Sequence, residues 1–311
     1  GGKERRMNIE KGNPALTAGI KELWNICFPQ EDPRYAEFFF RSVYQPEFGL
    51  AAVDGSRVVA SLIRVPHVMM FNGRPLSTSM ILGVCTLPQY QHQGLMHALM
   101  KIALDETEHT ELVTLLQAYD PAVYQPFGFE TIYRRSELVV RSEDFKRITN
   151  FGCAYEPSPV DMLKVYSAFI RRFNGFYARD LKYFEDYKKE ITAEGGKIIA
   201  YYDGKNIIRG YEAILPDGLE LNVEEIVYLD GMSLFKLVNA ALQERPVIHL
   251  HVSASEALEQ VLPVSASKTY GSTMARLNDA QMFSRMFQKK VSDVKGAFAL
   301  SRKPLNLNEN R

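Results

Sequence analysis

The sequence predicts an α/β (α+β) fold of two tandem domains, each with a mixed, mostly antiparallel sheet flanked by helices, and a short C-terminal segment. Two observations lead to this prediction. The order α-α-β-β-β-α-β of helical and strand patterns occurs twice along the chain. In both copies an Asp-Gly dipeptide joins the first two strand patterns, which is a strong signal for a tight turn. We place the domains at residues 8–150 and 151–275 and the C-terminal segment at residues 276–311.

The first copy contains two helical patterns, a hairpin, a third strand, a helix and a last strand. Its hairpin, GLAAVDGSRVVASLIR, turns at Asp54-Gly55. The helix after the third strand is predicted from apolar residues at helical spacing. In chain order, the patterns lie at residues 15–27, 33–44, 49–64, 74–88, 95–103 and 111–118.

The second copy repeats each of these elements around a hairpin, IIAYYDGKNIIRGYEA, that turns at Asp203-Gly204. After it, residues 274–311 provide one strand, one helix and a polar end, too little for a third domain. In chain order, the patterns of the second copy lie at residues 159–173, 180–191, 198–213, 218–229, 234–242 and 246–254.

Composition excludes several classes of protein. The chain has 311 residues, of which 46% are hydrophobic and 24% charged, as in ordinary globular proteins. Lys+Arg and Asp+Glu number 37 each, so there is no basic field to bind a nucleic acid. Three distant cysteines without metal-binding spacing argue against a disulfide framework or structural zinc. With no long apolar run, we expect a cytoplasmic protein without a membrane partner, and we assign no element to the polar residues 1–13.

The stretch PQYQHQGLMHALM, residues 88–100, places one glycine at the start of a helix directly after a strand. The first N–H groups of a helix have no internal partners, and the helix dipole adds partial positive charge there. Since Gly94 has no side chain, a ligand can approach the main chain closely. Such a turn suits a phosphate or pyrophosphate, although it is neither a Walker loop nor a dinucleotide fingerprint.

The corresponding junction of the second copy, VYLDGMSLFKLV, has almost no linker and carries Asp230, whose carboxylate would repel phosphate. A glycine before a helix can also have the purely structural role of ending the preceding loop. The contrast between the two junctions favours an anion site in the first copy and none in the second.

The segment GVCTLPQYQHQGLMHALM resembles motif A of the GCN5-related N-acetyltransferases (GNAT), whose cofactor loop reads Gln/Arg-x-x-Gly-x-Gly/Ala after a strand. Residues 91–96 fit this pattern, except that Met96 replaces the last small residue. This departure and the duplicated domain resemble the Eis-like acetyltransferases, which carry a second, degenerate GNAT-like domain. The resemblance covers most of residues 8–275.

The resemblance implies acetyl-CoA as cofactor and assigns its contacts. The main chain of Val84, Cys85 and Thr86 would hold the pantetheine arm, and N–H groups from Gln91 to Met96 would hold the pyrophosphate. Gln91 and Gln93 are neutral where many relatives have arginine, so affinity would depend mainly on backbone N–H groups. The complete set of cofactor-binding residues is Val84, Cys85, Thr86, Gln91, His92, Gln93, Gly94, Leu95, Met96, Tyr119 and Asp120.

Acetyl transfer needs a proton donor for the departing thiolate, and the resemblance assigns this role to Tyr124. The segment YDPAVYQPFGFE places Tyr124 where Eis-like enzymes have their general acid. A phenol with a pKa of about 10 is neutral at pH 7 and can give a proton at short range. The alternative is that Tyr124 only packs beside Phe127 and Phe129.

The proton acceptor is less defined. Eis-like enzymes use their own terminal carboxylate, delivered by a third, sterol-carrier-like domain that is mostly missing here. The resemblance therefore assigns the base to the carboxylate of Arg311, with a water chain as the alternative. Glu31, Asp32 and Glu47 could attract a cationic amine or could be solvated loop charges.

The histidines and Cys85 are interpreted as structural. His92 and His97 are expected on the surface, and His67 lies in a strand pattern. His249 and His251 alternate on one strand and so face one side, but they lack a third metal ligand nearby, and no metal is expected.

We therefore expect an N-acetyltransferase that moves the acetyl group of acetyl-CoA to a small primary amine by direct attack. Self-association into a homo-oligomer stays open. Two other functions stay open as well. One is a non-catalytic coenzyme A-binding or regulatory protein, and the other is an interaction scaffold that docks through the second domain.

Overall fold

The computed structural model describes residues 7–311, which form thirteen strands and eight α-helices. The strands are β1 (Met7–Lys11), β2 (Gly49–Asp54), β3 (Arg57–Phe71), β4 (Arg74–Thr86), β5 (Val113–Leu116), β6 (Glu130–Arg141), β7 (Cys153–Tyr155), β8 (Phe176–Tyr177), β9 (Lys197–Tyr202), β10 (Ile208–Asp217), β11 (Glu220–Tyr228), β12 (Val247–Ser253) and β13 (Val264–Leu277). The helices are α1 (Thr17–Cys27), α2 (Pro33–Ser42), α3 (Leu95–Thr110), α4 (Pro159–Phe169), α5 (Leu181–Ala193), α6 (Gly231–Glu244), α7 (Ala280–Phe287) and α8 (Val294–Phe298).

The predicted fold class is confirmed, and the predicted repeat is present. The order α1-α2-β2-β3-β4-α3-β5 recurs as α4-α5-β9-β10-β11-α6-β12. In each copy a helix connects two parallel neighbours, β4 with β5 and β11 with β12, whereas the other named ladders of the described residues are antiparallel. Parallel strands need such a crossover, and hydrophobic patterns that change from period 2 to period 3.6 and back indicate it.

The strands of the two copies join in one continuous sheet. Its order is β1-β2-β3-β4-β5-β13-β6-β12-β11-β10-β9-β7, with β8 paired to β3 off this path. Strand β13, from the end of the second copy, lies between β5 and β6, and β6 pairs with β12. Backbone pairing therefore crosses residues 150 and 275, and the domain boundaries placed there stay a prediction.

Each copy contributes a hydrophobic core. Phe39 and Ile63 are fully buried in the first, and Phe184 and Leu237 in the second. A third cluster, around Phe71, covers the sheet where α7 and α8 pack. Burial of apolar surface contributes about 25 cal/mol per Å², so these clusters are the main stabilising contribution to the fold.

Two parts of the chain differ from the predictions. Residues 7–11, to which no element was assigned, form β1 and pair with β2. The C-terminal segment has two short helices rather than one, and its polar end is buried, with Glu309 4% and Arg311 6% exposed. These charged side chains are buried because each meets a partner of opposite charge, Arg179 for Glu309 and Glu190 for Arg311.

Candidate functional site

The site begins where two parallel strands separate. β4 and β5 pair at Met80 with Leu115 and at Ile81 with Leu116, and their ladder ends there. A cavity of about 420 Å³ lies at the opening, between residues 81–84 of one strand and residues 117–119 after the other. Main-chain groups beyond the last pair have no ladder partner on this side, so they are available to a ligand with amide groups.

Gly83 shapes this opening. The pairing of β3 with β4 shifts between Ser61 and Ile63, a bulge in which Gly83 adopts a φ of 62°. A Cβ atom at Gly83 would lie 2.7 Å from the ring of Trp24. Only glycine fits both the left-handed backbone and the close approach of the indole ring.

The predicted pantetheine-binding residues lie on the separated part of β4. Cys85 and Thr86 pair with β3 on one edge, which leaves their other edge towards the opening, and Val84 lines the cavity. The neighbouring Cys27 thiol and burial raise the pKa of the Cys85 thiol. Cys85 thus stays protonated, in agreement with its interpretation as a main-chain contributor rather than a nucleophile.

The glycine turn is open to solvent. Residues 91–94 are exposed, and Gly94 caps α3 with a φ of 78°. A methyl group added at its Cα would meet no atom of the described residues within 4 Å. The first helical hydrogen bond runs from the N–H of Ala98 to the carbonyl of Gly94, at 3.0 Å. Among the described residues, the N–H groups of residues 92–96 have no hydrogen-bond acceptor, so they are free to bind an anion.

Gln91 differs from the other residues of the predicted pyrophosphate loop. Its N–H donates to the carbonyl of Pro88 at 3.3 Å, and its side-chain Nε2 donates to the carbonyl of Thr86 at 3.4 Å. In this conformation Gln91 closes the turn, and its main-chain donor is already engaged.

At the matching junction of the second copy, side chains already engage the start of the helix. Asp230 caps α6 by accepting from the N–H of Ser233 at 2.8 Å, and Ser233 completes a capping box by accepting from the N–H of Asp230. Arg209 also pairs with Asp230 at 2.9 Å. A carboxylate therefore occupies the place that an anion takes at the start of a helix.

Tyr124 lies between two short 3₁₀ turns, Pro121–Val123 and Gln125–Phe127, and lines the cavity. Its ring packs edge-on against Phe129, with centroids 6.4 Å apart. Its hydroxyl makes no hydrogen bond to any described residue, although burial raises the pKa of the group. The hydroxyl is therefore protonated at neutral pH and free to donate.

The two residues before these turns have different environments. Tyr119 lines the cavity, is 79% exposed, and its hydroxyl lies 3.5 Å from Glu31 Oε1. Asp120 caps the first 3₁₀ turn by accepting from the N–H of Ala122 at 3.1 Å. The carboxylate of Asp120 therefore holds the Tyr124 loop in shape.

Carboxylates of Glu31 and Asp32 also line the cavity. Glu31 accepts from Trp24 Nε1 at 3.0 Å, and burial raises its pKa. Asp32 caps α2 and pairs with Arg34 at 2.8 Å. Glu47, grouped with them from the sequence, lines a different cavity beside Lys11.

Sequence reasoning missed Glu194, which lines the same cavity as Tyr124. It is the C-cap residue of α5, in the second copy of the repeat. There it meets the first copy at the boundary between the two copies, where α5 packs against α2, which we call the seam. Burial, followed by the charges of Glu190, Glu224 and Asp32, raises its pKa to about 8. No local signal marks this residue, because its position depends on how the two copies pack.

The C-terminal residues run along the same seam. Asn310 lines the cavity with Tyr124, whereas Arg311 lines two neighbouring cavities. The Arg311 guanidinium lies 3.5 Å from Glu190 and over the Tyr183 ring. The main chain next to the cavity is held by Gln117, whose Nε2 donates to the carbonyl of Glu309 at 2.8 Å.

The histidines singled out from the sequence lie outside the cavity. His92 and His97 are exposed, and His67 stacks on Tyr177 with centroids 4.0 Å apart. Both ring nitrogens of His249 contact carboxylates, those of Glu137 and Glu220, and His251 contacts Tyr270 and Asn222.

Two absences concern the part of the chain that the structure describes. No group of three or more His, Cys, Asp or Glu side chains within residues 7–311 is arranged to hold a metal ion. Within the same residues, none of the helices has the length and apolar character needed to cross a membrane.

Known proteins resemble this chain in sequence and in fold. Residues 8–132 match the family model of an acetyltransferase (GNAT) domain. Among curated proteins, none matches the chain. Many solved structures are similar in fold, and the three described next cover most of the chain at low identity, so they establish the fold alone.

The first is a conserved protein of unknown function from Enterococcus faecalis V583, described as a probable N-acyltransferase, at 17% identity and a TM-score of 0.75, covering 89% of this chain and 74% of that one. A GCN5-related N-acetyltransferase from Kribbella flavida is 15% identical, with a TM-score of 0.71 and coverage of 88% and 71%. Eis1 from Mycobacterium abscessus is 15% identical, with a TM-score of 0.67 and coverage of 89% and 75%.

Proposed function

Because residues 8–132 of this chain match the family model of an acetyltransferase (GNAT) domain, we propose that the protein transfers the acetyl group of acetyl-CoA to a primary amine by direct attack. The observation that carries the proposal is the position of the Tyr124 hydroxyl. It has no partner among the described residues, and Tyr124 lines a cavity at the opening between β4 and β5. The likeness in fold to Eis1 supports placing the chain among the Eis-like members of the family.

The donor binds along β4 and the start of α3. The main chain of Val84, Cys85 and Thr86 extends beyond the last β4–β5 pair, where the amides of a pantetheine arm add like a strand. The free N–H groups of residues 92–96 bind the pyrophosphate, aided by the helix dipole. Gln91 keeps the turn closed rather than contributing a main-chain donor.

Tyr124 acts as general acid. Attack of the amine nitrogen on the thioester carbon forms the C–N bond, and collapse of the tetrahedral intermediate breaks the C–S bond. The coenzyme A thiolate that leaves takes the hydroxyl proton of Tyr124. Burial raises the pKa of this hydroxyl, which keeps the proton in place until the thiolate forms.

The acceptor is a small cationic amine. It enters from the side of Glu31 and Asp32, whose carboxylates line the cavity, and the rings of Trp24, Phe28 and Tyr119 form apolar walls around it. A cavity of about 420 Å³ lies within the range of about 300–1,000 Å³ that is usual for small-molecule pockets, which is enough for a thioester end and a small amine. Assignment of the base to the Arg311 carboxylate stays a prediction.

The test measures binding and transfer separately. Isothermal titration with acetyl-CoA is expected to show one site, and a panel of primary amines is expected to release free coenzyme A thiol together with the acetylated amine. Absence of binding at millimolar acetyl-CoA would contradict the proposal. Binding without transfer to any amine would instead support a regulatory coenzyme A-binding protein.

A further inference from the structure

The proposed reaction needs a group that takes a proton from the ammonium form of the acceptor, and we infer that this group is Glu194. The inference rests on the proposed function and adds a catalytic residue from the second copy of the repeat. Glu194, Tyr124 and Val84 of the donor strand line one cavity. With donor and acceptor both in this cavity, the amine nitrogen of the acceptor lies beside the Glu194 carboxylate and the thioester of acetyl-CoA lies beside the Tyr124 phenol.

Glu194 is the carboxylate of this cavity without a fixed partner. Glu31 accepts from Trp24 and Asp32 is paired with Arg34, so both are already engaged. The Glu194 side chain makes no hydrogen bond to any residue within 7–311. A carboxylate in that state can accept a proton without first breaking a protein contact.

The charges around Glu194 come from α5, from β11 and from the start of α2, and they are mostly negative. Glu190 lies on α5 itself and is paired with Arg311, while Glu224 faces it from β11. From α2, Asp32 repels the carboxylate and Arg34 attracts it. Burial and the three acidic neighbours outweigh the attraction of Arg34 and raise the pKa of Glu194 to about 8. This value is closer to the pKa of an ammonium group than the pKa of an ordinary carboxylate is, which favours proton transfer from the ammonium.

The protons and electrons of the reaction then balance. The ammonium gives one proton to Glu194, and the free amine adds to the thioester carbon. Breakage of the C–S bond moves one proton from Tyr124 to the thiolate, and the second nitrogen proton returns to the tyrosinate. Glu194 releases its proton to solvent, so each turnover yields one amide, one coenzyme A thiol and one proton.

The test compares Glu194→Gln with the wild type on two acceptors. The first is an alkylamine, which is protonated at neutral pH, and the second is an alkoxyamine, whose nitrogen is already unprotonated. Loss of a general base is worth about 100-fold or more in rate. We expect kcat for the alkylamine to fall by about 100-fold, with a much smaller loss for the alkoxyamine.

The pH profile provides a second measurement. The wild-type rate with the alkylamine should rise with pH through about pH 8, as Glu194 loses its proton. Over the same pH range the wild-type rate with the alkoxyamine should not change. Glu194→Gln should remove the contribution of this group, and Glu194→Asp should restore part of the rate. Glu185→Gln, an exposed position on the same helix, is the matched control and should leave both rates unchanged.

Each outcome is decisive. An equal loss on both acceptors, or no loss on either, would overturn the role of Glu194 while leaving acetyl transfer intact. A wild-type protein that acetylates no amine would overturn the proposed function itself. If Glu194→Gln does not fold, as judged by its acetyl-CoA binding, the same comparison is made with Glu194→Asp, for which a rate equal to wild type on both acceptors contradicts the inference.

Discussion

Arg179 of the second copy binds Glu309 of the C-terminal segment, with Nη2 2.9 Å from Oε1 and both side chains 1% exposed. The same guanidinium pairs with Glu225 at 2.7 Å. Arg179 precedes α5 and Glu309 lies one residue before Asn310, which lines the candidate site. The buried ion pair therefore fixes the last residues of the chain against the cavity.

Replacement of Arg179 by methionine should destabilise the protein strongly. It leaves two buried carboxylates, those of Glu225 and Glu309, without their common partner, and loss of one partner of a buried pair costs about 3–5 kcal/mol. The free energy of unfolding in urea measures the effect. Lys182→Ala removes the exposed pair with Asp186 and is the control, with an expected loss of about 0.3–0.5 kcal/mol. Equal losses of unfolding free energy in both variants would contradict the larger contribution that we expect from the buried pair.

Tyr124→Phe should lower kcat by about 100-fold while leaving the dissociation constant of acetyl-CoA unchanged. The substitution keeps the ring that packs on Phe129 and removes only the hydroxyl. Steady-state kinetics and titration calorimetry give the two numbers. Tyr155→Phe removes the hydroxyl of an exposed tyrosine on β7, outside the cavity, and should change kcat little. An unchanged rate in Tyr124→Phe would remove the general-acid assignment.

The charge of residue 93 should tune coenzyme affinity. Gln93 is exposed beside the free N–H groups at the start of α3, where one charge is worth about 0.3–1 kcal/mol. Gln93→Arg should therefore tighten acetyl-CoA binding about 2- to 5-fold, and Gln93→Glu should weaken it by a similar factor. Both effects should shrink with added salt. Gln260→Glu, at a remote exposed position, is the control, and the same affinity in all variants would place the pyrophosphate elsewhere.

Stability should fall as the pH decreases below about 6.5 because of His67. Burial and the charge of Arg311 lower the pKa of His67 to about 3, below the value of about 6.5 in an unfolded chain. Between these values the unfolded state binds the extra proton, so the contribution is complete above pH 6.5 and is lost at up to about 1.4 kcal/mol per pH unit below it.

Urea unfolding of the wild type and His67→Phe between pH 7.5 and 5 measures this contribution. The variant should show the shallower dependence on pH, because phenylalanine keeps the stacking on Tyr177 without a titrating group. The exposed His109→Gln should behave like the wild type. Parallel curves for the wild type and His67→Phe would show that His67 is accessible to protons in the folded protein.

Local signals in the sequence predicted most of the elements. The Asp54-Gly55 dipeptide marks the turn between β2 and β3, where Gly55 has a φ of 65°, and the spacing of Leu95 and Leu99 indicates α3. These features depend on neighbours a few residues apart, which a single sequence displays directly. The free N–H groups of residues 92–96, around Gly94, could be predicted for the same reason, because the start of a helix leaves its first N–H groups without internal partners.

Long-range pairing could not be predicted in this way. Residues 265–269 of β13 are exposed and, apart from Ala266, polar, and only the last residues of the strand, from Met274 on, pair with β5. No hydrophobic alternation along β13 therefore marks its place between β5 and β6. The same reason hides Glu194, which has the pattern of any surface glutamate at a helix end. Its place in the cavity is set by packing of α5 against α2 across the seam.

The position of β13 also determines when the first copy of the repeat can finish folding. Strands β5 and β6 precede residue 142, but the strand between them begins at Val264, so residues 142–263 are synthesised in the interval. At about 5–20 residues per second, translation of this stretch takes about 6–24 s. During this time the edges of β5 and β6 are unpaired templates for aggregation. A fragment ending at residue 132 would have such an edge permanently, so completion of the first copy depends on synthesis of the second.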